Sequence, residues 1–202
     1  MGVAERPLRI VVVGDELVAG AGDPKGLGWV GRVTARTLDP GAPHPLVLTL
    51  PVPGENSSQL VARWESEAAL RWSSGADNRL VVALGRADAT SDLSPARSRL
   101  NLANVLDVAE HHRVPAFVVG PPPGAAADAE RLAELSAAFG DVAGRRRVPY
   151  VDAYRPLAAH EQWLADLASG DGYLPGQAGY GLIAWLVLHT GWQTWLGLPE
   201  AV

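Results

Sequence analysis

Apolar residues in this chain fall into short unbroken runs separated by longer amphipathic stretches. The runs are LRIVVVG (8–14), PLVLTL (45–50), RLVVALG (79–85), VPAFVVG (114–120) and a short VPYVDA (148–153). They are rich in β-branched residues and do not alternate with polar ones, which predicts parallel strands buried on both faces. The stretches near 28–38, 57–71, 95–112, 125–145 and 176–190 carry helical periodicity, with Ser57 or Ser58, Ser94-Pro95 and Gly176 as candidate starts. Strands alternating with helices predict an α/β fold, a three-layer αβα sandwich around a five-stranded parallel sheet of flavodoxin-like type. Such sheets bind ligands beyond the carboxyl ends of their strands. Gly14, Gly54, Gly85 and Gly120 all sit near those ends. No repeat, linker or composition shift divides residues 1–202, so a single domain is expected.

Composition narrows the function classes. Apolar residues make up 48% of the chain and charged residues 19%, enough for a sizeable core. The net charge is −5, with no basic patch along the sequence, which argues against nucleic acid as a partner. There is no cysteine, so disulfides and thiolate metal sites are excluded. MGVAERPLRI carries no apolar leader, and no run reaches the length of a membrane span. A cytoplasmic location is therefore expected. Lys25 is the only lysine among 17 basic residues, a bias suited to a high-GC bacterial genome.

Four segments carry the candidate chemistry. LRIVVVGDEL (8–17) ends a strand at Gly14, Asp15 and Glu16, and DGYLP (171–175) precedes the helix-like GQAGYGLIAWL. Between them lie LPVPGENSS (50–58) and LVVALGRAD (80–88). In this order the four resemble the motif blocks of the SGNH hydrolases, the GDSL-type esterases and lipases, over about residues 8–190. The family's blocks read Gly-Asp-Ser, a glycine that donates its backbone N–H to an oxyanion, Gly-x-Asn-Asp, and Asp-x-x-His-Pro. On that resemblance the nucleophile position holds Glu16, the oxyanion glycine is Gly54, the Asn position holds Ala87 before Asp88, and the base position holds Leu174 after Asp171. Ser-His-Asp catalysis needs an oxygen nucleophile and an imidazole to take its proton. The resemblance therefore implies a degenerate member of the family, lacking the Ser, the Asn and the His.

The remaining residues are read against that frame. Asp15 and Glu16 are placed at the mouth of the pocket, where a glutamate is able to act as base, nucleophile, metal ligand or plug. Asp171 has no His to orient and is read as a cap or loop-holding residue before it is read as a catalytic one. For Arg86 two readings stay open: a solvated side chain, or one turned inward to pair with Glu16 or an anionic ligand. His44, His111, His112, His160 and His189 all fall outside the triad position. GAGDPKG (20–26) lacks the ending and spacing of a phosphate-binding loop. Carboxylates 15, 16, 88 and 171 come without His ligands, so neither a metal nor a cofactor is expected. Trp192 and Trp195 are read as packing anchors.

The function expected is that of a pseudohydrolase, with Asp15, Gly54, Arg86, Ala87, Asp88 and Leu174 lining a pocket that binds a small molecule or a protein partner. A second class is a repurposed enzyme, with Glu16, together with Asp171 or Asp88, as acid or base in an isomerisation, elimination or cyclisation. A third is a residual esterase using an unaligned serine such as Ser57 and a remote histidine. Glu16 is longer than serine and carries two acceptor oxygens. It is expected to turn toward Gly54, or toward Arg86, and to satisfy donors arranged for negative charge.

Overall fold

The computed structural model describes residues 6–37, 44–124 and 128–198. Five strands, β1 (Leu8–Gly14), β2 (Leu46–Pro51), β3 (Asp77–Ala83), β4 (Ala116–Val119) and β5 (Tyr150–Val151), form one sheet in the order β2-β1-β3-β4-β5. Every pairing is parallel, and Gly14 stands level with Pro51 on one side and Ala83 on the other. The expected αβα architecture is therefore observed. The chain leaves β1 toward β2 at the edge, then crosses back to central β3. Loops leaving β1 and β3 consequently diverge at their carboxyl ends and open a crevice there.

The strands bury alternate residues in two separate cores. Val11, Val13, Leu80, Val82 and Val118 face α3 (Ser57–Ala69), α5 (Pro95–His111) and α6 (Ala129–Arg145). Ile10, Val12, Val81, Phe117 and Val119 face α2 (Gly28–Thr37), α8 (Glu161–Ala168) and α9 (Gln177–Val187). Covering both faces is what makes an alternating polar pattern unnecessary. The short helices α1 (Glu16–Ala19), α4 (Ala87–Thr90), α7 (Tyr154–Leu157) and α10 (Gln193–Leu196) are single turns too brief to announce themselves by periodicity. Trp192 is buried, stands edge-on to Phe117 at 5.2 Å and donates to Thr37 Oγ1 at 2.9 Å, so it anchors packing as expected.

Several boundaries differ from the sequence reading. The start of α3 is capped by Asn56, whose side chain accepts from Ser58 and Gln59 N–H groups in a capping box; Ser57 is already inside the helix. Ser94 and Pro95 do start α5. At α9 the cap residue is Gly176, and the acceptor comes from another helix, since Asp166 takes the N–H groups of Gly176 and Gly179. The predicted helix 176–190 stops at Val187, and a π turn with Gly191 at φ +77° follows. Residues 125–127 of the predicted helix 125–145 lie outside the described residues.

Candidate functional site

Strand β1 ends in a sharp turn into α1, and Asp15 caps that helix, accepting from Leu17 N–H at 3.0 Å. The Asp15 side chain is buried against Gly85, where any Cβ would overlap its carboxylate, so Gly85 is a space requirement. Burial pushes the Asp15 pKa up to about 7, helped by the charge of Glu16 and opposed by the Leu17 N–H and by Arg86.

Glu16, half-buried, reaches across the crevice. Its Oε2 accepts from Gly54 N–H at 2.7 Å and its Oε1 from the Tyr173 hydroxyl at 3.0 Å. Gly54 has φ +70°, a backbone conformation that glycine adopts without strain, and its amide is exposed on the loop after β2. That loop is tied down by the next residue. Glu55 is buried and receives both Nε and Nη2 of Arg63 at 2.5 and 2.6 Å, while Arg63 Nη2 also donates to the Leu50 carbonyl at 2.9 Å. Desolvation raises the Glu55 pKa against the pull of Arg63.

After β3, Arg86 turns inward, which selects one of its two readings, but its partners are not carboxylates. Nη2 donates to the Tyr173 carbonyl at 2.6 Å and Nη1 to the Pro123 carbonyl at 3.4 Å, and the guanidinium lies 4.1 Å from the Tyr173 ring centroid. Pairing with Glu16 is thus corrected: the phenol of Tyr173 takes that place. Ala87 is half-buried at the start of α4 and offers no side-chain donor. Asp88 is buried, with Oδ1 accepting from Ser57 N–H at 2.6 Å and Oδ2 without a partner among the described residues. It braces the start of α3 from behind the crevice.

The last block forms the other wall. Asp171 is exposed, and its Oδ1 accepts from the N–H groups of Tyr173 and Leu174 at 2.8 and 2.7 Å, bonds that hold its pKa below the usual range. It therefore holds the loop, as read, whereas the capping of α9 belongs to Asp166. Leu174 is half-buried, packed on the α2–α9 core and against the backbone of Gly22.

The structure brings Asp15, Glu16, Gly54 and Arg86 to one crevice with the 171–174 loop. It does not bring a histidine there. All five histidines are exposed; His112 pairs with Glu65 and His189 stacks on Trp185. Ser57 is buried and accepts from Asn101, so its hydroxyl is shielded from any substrate. In the GAGDPKG loop the Asp23 carboxylate accepts from Gly28 N–H and from Arg32, which places a protein anion at the start of α2. Among the described residues, no three His, Cys, Asp or Glu side chains gather in a way that could hold a metal ion. A cavity of about 660 Å³ lies at the opposite end of the sheet beside Leu8, Asp77 and Val114, away from these groups. Volume alone points there; the convergence of carboxylates, guanidinium and backbone donors makes the crevice the candidate site instead.

Tyr173 is the residue that sequence reasoning missed. Its only local signal is an aromatic side chain in the turn-rich DGYLP, and its partner Glu16 is 157 positions away.

Comparison with known proteins agrees with this fold. A family model described as the GDSL-like lipase/acylhydrolase family matches residues 12–182. Among solved structures, a lipase/acylhydrolase from Enterococcus faecalis superposes with TM-score 0.76 at 20% identity, over 96% of this chain and 99% of that one. TesA gives 0.74 at 21% identity, over 91% and 97%. An acetylxylan esterase from Geobacillus stearothermophilus gives 0.74 at 15% identity, over 98% of each chain. At these identities the likeness is one of fold. No curated protein sequence matches the chain. With the family model spanning most of the length, the chain belongs to the GDSL-like lipase/acylhydrolase family.

Proposed function

We propose that this protein is a pseudohydrolase, a binding protein built on the hydrolase fold without Ser-His-Asp esterase chemistry. Its ligand is a small molecule or a protein partner held at the crevice above β1 and β3. The observation that carries this reading is the seat of Glu16. Its carboxylate occupies the Gly54 N–H and the Tyr173 hydroxyl, so the donors that would meet a developing oxyanion are already satisfied. Ala87 and Leu174, at the positions the resemblance assigns to Asn and His, supply neither a donor nor a base. On composition alone, we place the protein in the bacterial cytoplasm.

The experiment is turnover of p-nitrophenyl acetate and butyrate against a heat-denatured control, paired with fluorophosphonate labelling. No turnover and no adduct are expected. A rate abolished by the phosphonate, with the adduct mapped to one serine, overturns the reading.

One observation favours a second reading, carboxylate-based catalysis. Asp15 titrates near neutral pH directly beside Glu16, and two carboxyl groups in unlike environments can divide acid and base roles. In that reading Glu16, the more accessible of the two, exchanges the proton with substrate. A bell-shaped pH dependence of turnover, lost in Glu16→Gln, distinguishes it from binding alone.

A further inference from the structure

Arg86 is among the largest fully buried side chains, yet no carboxylate touches it among the described residues; Asp15 and Asp171 act on it only at longer range. Among the described residues no carboxylate lies within 4.0 Å of its guanidinium, its two terminal nitrogens donate to neutral carbonyls, and Nε has no partner. A buried cation with no anion in contact is costly, and its fork is shaped for a carboxylate. On the same tyrosine, the hydroxyl at the ring's edge holds the Glu16 carboxylate. Tyr173 therefore covers the cation with its ring and grips an anion with its hydroxyl. It is itself 40% exposed, on a turn that Asp171 and Arg86 hold in place.

We propose that this crevice is a self-occupied receptor for a small monocarboxylate, in which Glu16 is the built-in competitor, Tyr173 the hydroxyl donor and Arg86 the cation behind its ring. The proposal rests on the binding reading above and names its ligand class. An incoming carboxylate matches what Glu16 presents: two acceptor oxygens, one charge, and a planar head for the Gly54 N–H and the Tyr173 hydroxyl. Arg86, stacked on the far face of the Tyr173 ring at 4.1 Å, supplies the positive charge behind that seat. A single cation beside Asp15 and Glu16 favours one negative charge over two, which selects a monocarboxylate over phosphate. The glutamate lowers apparent affinity by the fraction of time it holds the donors, and its displacement is the conformational step that ligand binding drives.

The test follows the Gly54 amide resonance in the full chain by NMR during titration with butyrate, with neutral butyramide and with inorganic phosphate. Wild type is expected to respond weakly to butyrate. Glu16→Ala, which empties the seat, is expected to bind it about tenfold more tightly, with no matching gain for butyramide or phosphate. Adding Arg86→Met to Glu16→Ala is expected to remove the gain. Should that variant not fold, Glu16→Ala with Tyr173→Phe is used, where loss of the hydroxyl weakens butyrate binding while the ring stays in place. A folded Glu16→Ala protein whose Gly54 amide ignores butyrate overturns the proposal, as does an equal response to butyramide or a stronger one to phosphate. Those outcomes leave the pseudohydrolase reading standing; a phosphonate-sensitive esterase rate, or a turnover lost in Glu16→Gln, removes that.

Discussion

Replacing Asp15 by Asn changes how stability depends on pH, and the direction follows from burial. Asp15 is 2% exposed, and its pKa is pushed from an ordinary 3.8 up to about 7. The native carboxyl therefore holds its proton over a range where the unfolded chain has released it. Stability is unaffected below the unfolded value, falls as pH rises from about 4 to about 7, and levels off above that. At about 1.4 kcal/mol per pH unit, the whole span is worth on the order of 4 kcal/mol. Asparagine keeps the size and the acceptor for Leu17 N–H but cannot ionise. Urea unfolding of wild type and Asp15→Asn across that window measures the difference at constant m-value. The variant is expected to gain on wild type steadily as pH rises, by a few kcal/mol at neutral pH. Parallel profiles would refute the reasoning, because they would mean that Asp15 titrates alike in the folded and unfolded chains.

Three further outcomes are expected. Gly85→Ala drives a Cβ into the Asp15 carboxylate; overpacking and loss of the α1 cap together cost roughly 2–4 kcal/mol and lower Tm by about 5–15 °C, most of it recovered in the Asp15→Ala background. Arg63→Met strands buried Glu55 and costs about 3–5 kcal/mol in denaturant unfolding, whereas Arg63→Met with Glu55→Leu restores most of that loss. Glu16→Ser or Leu174→His alone gives no esterase activity, because nucleophile and base act as a unit; Glu16→Ser with Ala87→Asn and Leu174→His gives weak p-nitrophenyl butyrate hydrolysis, and a covalent acyl-enzyme from Leu174→His alone would contradict the motif alignment.

The strands, the main helices and the approach of the strand-end segments to one another were legible in the amino-acid sequence. Each depends on short-range pattern: runs such as LRIVVVG that need cover on both faces, and glycines and acids placed where strands end. For Glu16 the order of four motifs left two seats, Gly54 or Arg86, and the structure places it on Gly54. What the sequence could not determine was the choice among partners once those ends meet. Arg86 had Glu16 within plausible reach but donates to two backbone carbonyls beneath Tyr173. Asp171 lies in the segment before α9, yet Asp166 from another helix caps it. Ser57 looked available as a helix start and hydroxyl, and packing buried it beneath Asn101. In each case the competing partners are equivalent in local chemistry. Only the convergence of three loops, from β1, β3 and the segment before α9, sets which donor and acceptor lie within a hydrogen bond's length, and that convergence is a property of the folded sheet.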